Sequence, residues 1–81
     1  MEKFITDING AEFSAVCEQQ QRRGGFRHVV TVYKNGEQIT KKATNYTNRT
    51  WERFPFALTL SRACEQIGGA TGDALRLAWH L

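Results

Sequence analysis

Asn35-Gly36 falls between two runs rich in β-branched residues, Phe26 to Lys34 and Glu37 to Thr44. Both central residues of a type I′ turn need positive φ, and Asn followed by Gly meets that need while matching the twist of the flanking strands. The dipeptide therefore predicts a hairpin. Counting outward from a two-residue loop pairs Lys34 with Glu37, Tyr33 with Gln38, Val32 with Ile39 and Thr31 with Thr40, down to Arg27 with Thr44. Side chains alternate between faces along a strand. One face then carries Phe26, His28, Val30, Val32, Ile39, Lys41 and Ala43, and the other Arg27, Val29, Thr31, Tyr33, Gln38, Thr40, Lys42 and Thr44. The first is the more apolar and is the face expected to be buried, with the Lys41 stem lying along it and the ammonium reaching water. His28 on that face is expected to be packed and hydrogen-bonded.

The flanking segments read as helical. Asn9 and Glu12 have capping-box spacing, and Ile8 and Phe13 the spacing of a hydrophobic staple. Phe13, Val16 and Cys17 follow at helical intervals, and Arg22-Arg23 then Gly24-Gly25 supply a cationic end and an exit. The pattern predicts a helix over about 9–22, preceded by a short extended segment from Met1 to Asp7 with Phe4 and Ile5 anchored on the sheet. Asn45 to Phe54 reads as turn-rich and partly extended, with Trp51 and Phe54 covering one end of the core. Pro55 suits a first helical turn, and Phe56, Leu60, Ala63, Cys64 and Ile67 recur at helical spacing until Gly68-Gly69. Thr71 or Asp73 can cap a last short helix. In it Ala74, Leu77, Ala78 and Leu81 share one side and Leu75 and Trp79 another, so it is either wedged inside the fold or meets a partner or a second subunit, as in a homodimer. The expected fold class is α+β: an antiparallel hairpin, with room for a third short strand, packed by an N-terminal helix and two C-terminal helices in one domain over 1–81.

A chain of 81 residues buries only about 60% of the surface that its unfolded form exposes, so a disulfide, a metal or a second subunit would each be a natural support. Cys17 and Cys64 lack the company of a basic, apolar leader and read as reduced thiols packed as small hydrophobes. Structural zinc sites use closely spaced pairs, whereas Cys17, His28, Cys64 and His80 are scattered. The sequons at Asn45 and Asn48 are read as incidental. No apolar run approaches membrane-spanning length. Phosphate-binding glycine patterns are absent, and the acidic residues fall mostly at helix starts or beside turns, so the expectation is a non-enzymatic binding protein with no cofactor and no metal.

Charge is unevenly spread. The net charge is +3, yet residues 1–20 sum to −3, residues 21–53 to +6 and residues 54–81 to zero. Arg22, Arg23, Arg27, Lys34, Lys41, Lys42, Arg49 and Arg53 make the middle third basic, suited to phosphates, to an acidic protein face or simply to water. Arg27, Tyr33 and Lys42 share the expected outer face of the hairpin, and Tyr46, Arg49 and Arg53 follow at once, so cations and rings that could contact phosphates and stack bases lie together.

Val32-Tyr33-Lys34-Asn35-Gly36-Glu37-Gln38, followed by Asn48-Arg49-Thr50-Trp51-Glu52-Arg53-Phe54 and a helix, resembles small proteins of phages and mobile elements that join a strand pair ending in an Asn-Arg-Thr-Trp-Glu motif to a helix. The similarity spans residues 26–67. It implies a cytoplasmic protein of the host cell that acts by occlusion, as anti-CRISPR proteins do, binding a host defence protein such as a nucleic-acid-processing CRISPR effector. Many such inhibitors imitate DNA with an acidic surface, and this chain is basic. The alternative is a small nucleic-acid-binding accessory protein using the basic region 22–53. Partner contacts are expected from Arg27, Tyr33, Lys42, Tyr46, Arg49, Arg53 and Trp79. A nucleic-acid binder should lean on the cations, and a protein antagonist on anchors such as Tyr33, Tyr46 or Trp79.

Overall fold

Asn9-Gly10 turns the chain in the same way as Asn35-Gly36: φ is 51° and 82° in both pairs. The computed structural model describes residues 1–47 and 56–81. Strands β1 (Glu2–Ile8), β2 (Ala11–Arg22), β3 (Gly25–Lys34) and β4 (Glu37–Thr47) form an antiparallel sheet in chain order, followed by helices α1 (Ala57–Ile67) and α2 (Gly69–Ala78). The α+β class holds, with four strands and two helices.

The helix expected over 9–22 is a turn and a strand. Phe13 and Cys17, four residues apart, share a face in either conformation, so they do not separate a period of 3.6 from a period of 2. Ala15 does separate them, because Phe13, Ala15 and Cys17 are all buried while Ser14 and Val16 are only partly so. Pairing decides the matter: β2 is hydrogen-bonded to β1 on one side and to β3 on the other. Glu12 does not reach back to cap Asn9. Its backbone N–H donates to Asn35 Oδ1 at 2.9 Å, and its carbonyl accepts the Asn35 N–H at 2.7 Å. Extended structure at the N-terminus is present as β1, with Phe4 turned inward but Ile5 exposed.

The second correction concerns β4. Lys34 faces Glu37 and Tyr33 faces Gln38 as counted, but Val32 faces Thr40, because Ile39 is an extra residue at a bulge. One inserted residue turns every later side chain to the opposite face. Thr40 is therefore buried, Lys42, Thr44 and Tyr46 are half-buried on the inner side, and Ile39, Lys41 and Ala43 point outward into solvent. The inner face of β3 follows expectation at Phe26, His28, Val30 and Val32.

Both helices pack on that inner face. α1 crosses β3 and β4, and α2 leans on β1 and α1, so Leu60, Ala63, Cys64, Leu75 and Trp79 meet Phe13, Ala15, Cys17, Val30 and Val32. Burial of Leu60 or Leu75 stabilises the fold by about 1.5–3 kcal/mol each. α1 ends at Gly68 (φ 68°), whose N–H bonds to the Cys64 carbonyl at 3.0 Å. α2 begins at once, without the side-chain cap expected from Thr71 or Asp73. No helix among the described residues is long and apolar enough to cross a membrane. Pro55, and the expected burial of Trp51 and Phe54, lie outside the described residues.

β1 stops where Glu2 pairs with Cys17, while β2 continues to Arg22 alongside β3 and β4. The far end of the sheet thus projects as a three-stranded arm, which accounts for the 42 Å long axis against 20 and 17 Å.

Gly72 marks the closest approach of the helices, since a Cβ there would lie 2.5 Å from the Cys64 carbonyl oxygen. In an open helix Gly→Ala gains about 1 kcal/mol, but overpacking against backbone costs about 1–3 kcal/mol. Gly72→Ala is therefore expected to lower the thermal midpoint, measured by circular dichroism.

Candidate functional site

The arm is built around rings. On its inner side Phe26 and Tyr46 are cross-strand partners and stack with centroids 5.0 Å apart and 23° between planes. His28, two residues along β3, lies 5.3 Å from Phe26, 5.0 Å from Tyr46 and 4.3 Å from Phe56, just before α1. It is 1% exposed. Its Nε2 is 3.3 Å from Gln19 Oε1, which assigns the proton to Nε2 and makes Nδ1 an acceptor. Nδ1 is buried with no partner among the described residues. Burial among rings disfavours the imidazolium and pushes the His28 pKa below its ordinary 6.5. At neutral pH His28 is thus an uncharged packing residue, as expected for this position.

The tip of the arm is basic. Arg22, Arg23, Gly25, Phe26, Asn45 and Tyr46 border a groove of about 260 Å³. Gly25 has to be glycine, because a Cβ would run into the Tyr46 carbonyl oxygen. Arg27 sits just behind on the outer face, where Nη2 donates to Gln20 Oε1 at 3.1 Å. Across residues 18–28 and 43–47 there are three guanidinium groups and one carboxylate, Glu18. A second groove, about 480 Å³, runs between β4 and α1, but Lys42 and Arg62 share it with Glu65, so its charge is mixed.

The residues singled out from sequence do not share one surface. Arg27 and the half-buried Tyr33 lie on the helix-free face of the sheet, together with Lys41. Lys42 and Tyr46 are moved by the bulge to the helix-bearing face, at two different grooves. Trp79 is packed in the core, its ring 6.2 Å from that of Phe4. Arg49 and Arg53 lie outside the described residues. Phe26 is placed near Arg22 and Arg23 by the β2–β3 turn, and Asn45 only by the pairing of β3 with β4. On α2, Leu75 is buried, Leu77 is 81% exposed and Ala78 is exposed, as is Leu81 beyond the helix.

The thiols are poor nucleophiles. Cys17 is pushed up to about 11 by burial, with Glu2 adding to the rise and the N-terminal amine opposing it. Burial likewise raises Cys64, against a smaller lowering by Arg76. Both are free and buried. Among the described residues no group of three or more His, Cys, Asp or Glu side chains could hold a metal ion. Comparison of the chain with family models, with curated proteins and with solved structures gives no match.

The lowered His28 pKa has a definite sign in stability. The unfolded chain binds the proton more tightly than the folded one, so the stability contributed by neutral His28 is complete above about pH 6.5 and is lost as pH falls below it. The thermal midpoint is expected to drop between about pH 7 and pH 5, and His28→Phe, which keeps an aromatic ring at this position, should flatten that drop.

Proposed function

We propose that the chain is a small nucleic-acid-binding protein that works without catalysis through the arm of its sheet. The supporting observation is the gathering of Arg22, Arg23 and Arg27 at the projecting end of the β2–β3 hairpin, with Glu18 the one carboxylate nearby in sequence. Guanidinium groups hold phosphates by charge and by paired N–H donors. Three of them on a narrow projection reach a polyanion without bringing the acidic β1–β2 hairpin, with Glu2, Asp7 and Glu12, against it. Labelled 20-nucleotide DNA and RNA, titrated with the protein by fluorescence anisotropy from about 50 to 300 mM salt, test the proposal. Affinity should fall steeply with salt. Arg22→Ala with Arg23→Ala should weaken binding about tenfold or more and reduce the salt slope by about two. Binding that is independent of salt and indifferent to the double substitution would remove the reading.

A different surface supports a second reading, a phage-type antagonist that occludes a host defence protein such as a CRISPR effector. The end of α2 and the turn after it leave Leu77, Ala78 and Leu81 exposed, apolar side chains that suit a protein surface better than phosphates. The likeness of the 26–67 segment to phage proteins points the same way. A host protein that stays bound after nuclease treatment, and is lost with Leu77→Asp, is the expected result. Retention of that protein by Leu77→Asp would count against this surface.

A further inference from the structure

We infer that the helix-free face of the sheet is where two copies of the chain meet, related by a two-fold axis that crosses the strands. Both helices pack on the other face, and the described elements leave this one open. Strand alternation and the pairing register set its side chains in rows. Val16, Val29, Thr31 and Ala43 fill the middle of the face, and Ile5 and the half-buried Tyr33 share the next row. Ile5 is 58% exposed. Charge is divided between the two ends. Arg22 and Arg27 stand at the arm, whereas Asp7 and Glu12 stand at the other end as direct cross-strand partners. Like charges directly opposite one another destabilise a sheet, and among the described residues neither carboxylate, nor Arg22, has an ion-pair partner.

Symmetry selects the arrangement. In an isologous pair the same patch of both copies is in contact. A two-fold axis along the strands would lay Arg22 and Arg27 on their own copies, and carboxylate on carboxylate. An axis across the strands, at the level of the paired residues Cys17 and Val30, reverses one sheet over the other. Arg22 of each copy then comes to the Asp7–Glu12 pair of the other, and Arg27 to the ring of Tyr33, a face that attracts a cation. Glu18, the carboxylate nearest the middle, comes to Val16 and its cross-strand neighbour Lys3. Val29 packs against Thr31 in an aligned sheet-on-sheet contact. Each charged end is thus answered by the opposite sign, which identifies a second copy as the partner. Ten paired residues along β2 and β3, at about 3.4 Å each, and three to four strands about 4.8 Å apart give about 500–650 Å² per copy. That is close to the lower limit of about 1,200 Å² in total for specific complexes, so the pair is a weak one. The inference does not rest on the nucleic-acid reading, although a polyanion and a second copy would compete for Arg22 and Arg27.

Sedimentation velocity of the nuclease-treated full chain, over protein concentrations from about 1 to about 300 μM, measures the association. In about 50 mM salt a monomer–dimer equilibrium with a Kd of about 10–100 μM is expected, weakened about tenfold in about 500 mM salt, which screens the end charges. Arg22→Glu and Glu12→Arg should each weaken the dimer by at least about tenfold, since each sets like charges against one another across the interface. Combined in one chain they should restore the Kd to within about threefold of its starting value. Both positions are exposed, and the bonds that tie Glu12 to Asn35 use only the Glu12 backbone, so the fold does not depend on either side chain. A chain that stays monomeric at every concentration, a dimer indifferent to both single reversals, or one that the combined variant fails to restore overturns the inference.

Discussion

Ten cross-strand pairs between β2 and β3, from Phe13 with Lys34 to Arg22 with Gly25, are the interaction on which the other elements depend. β1 is laid on one side of this ladder and β4 on the other, and the inward row Ala15, Cys17, Val30 and Val32 is the floor on which both helices rest. The ladder is fastened at its inner end by Asn35, which turns β3 into β4 and also exchanges two hydrogen bonds with Glu12. One residue thus ties two hairpins together. At its outer end the ladder runs on past β1, and that overhang is the arm.

The sequence carries two equivalent turn signals, Asn9-Gly10 and Asn35-Gly36. The second stands between two β-rich runs and is unambiguous. The first is followed by Glu12 and Phe13, whose spacing also fits a capping box and a staple, so local chemistry supports two conformations and only pairing with β1 and β3 selects one. The C-terminal helices are legible because Phe56, Leu60, Ala63, Cys64 and Ile67 repeat at a period no strand can use, and Gly68-Gly69 breaks it. The α+β class follows from either reading of residues 9–22, and the strand count does not.

The candidate surface was less legible for a related reason. Straight counting from Gly36 places Lys42 beside Arg27 and Tyr33, but the extra residue at Ile39 sends Lys42 and Tyr46 to the other face. A bulge leaves no mark in composition here. In the sequence Trp79 is a large ring in a short amphipathic tail. On α2 it is Leu77 that faces water, because the side bearing Leu75 and Trp79 is the one turned to Phe4 and the sheet. Arg22 and Arg23 belong to the basic region visible in sequence, whereas Asn45 and Tyr46 join them only through the register of β3 and β4.

The Ile39 bulge has a further effect, on how the sheet ends. β1 and β4 are the two edge strands among the described residues, and β4, the longer, has a row of peptide groups that a foreign extended segment could join. A flat, apolar border of eleven residues would invite such growth. Here a neighbour would have to absorb a one-residue misfit at Ile39 and then lie against the ammonium groups of Lys41 and Lys42, two devices that discourage strand addition. The residue that hid the correct face from sequence counting thus also guards this edge of the sheet against strand addition.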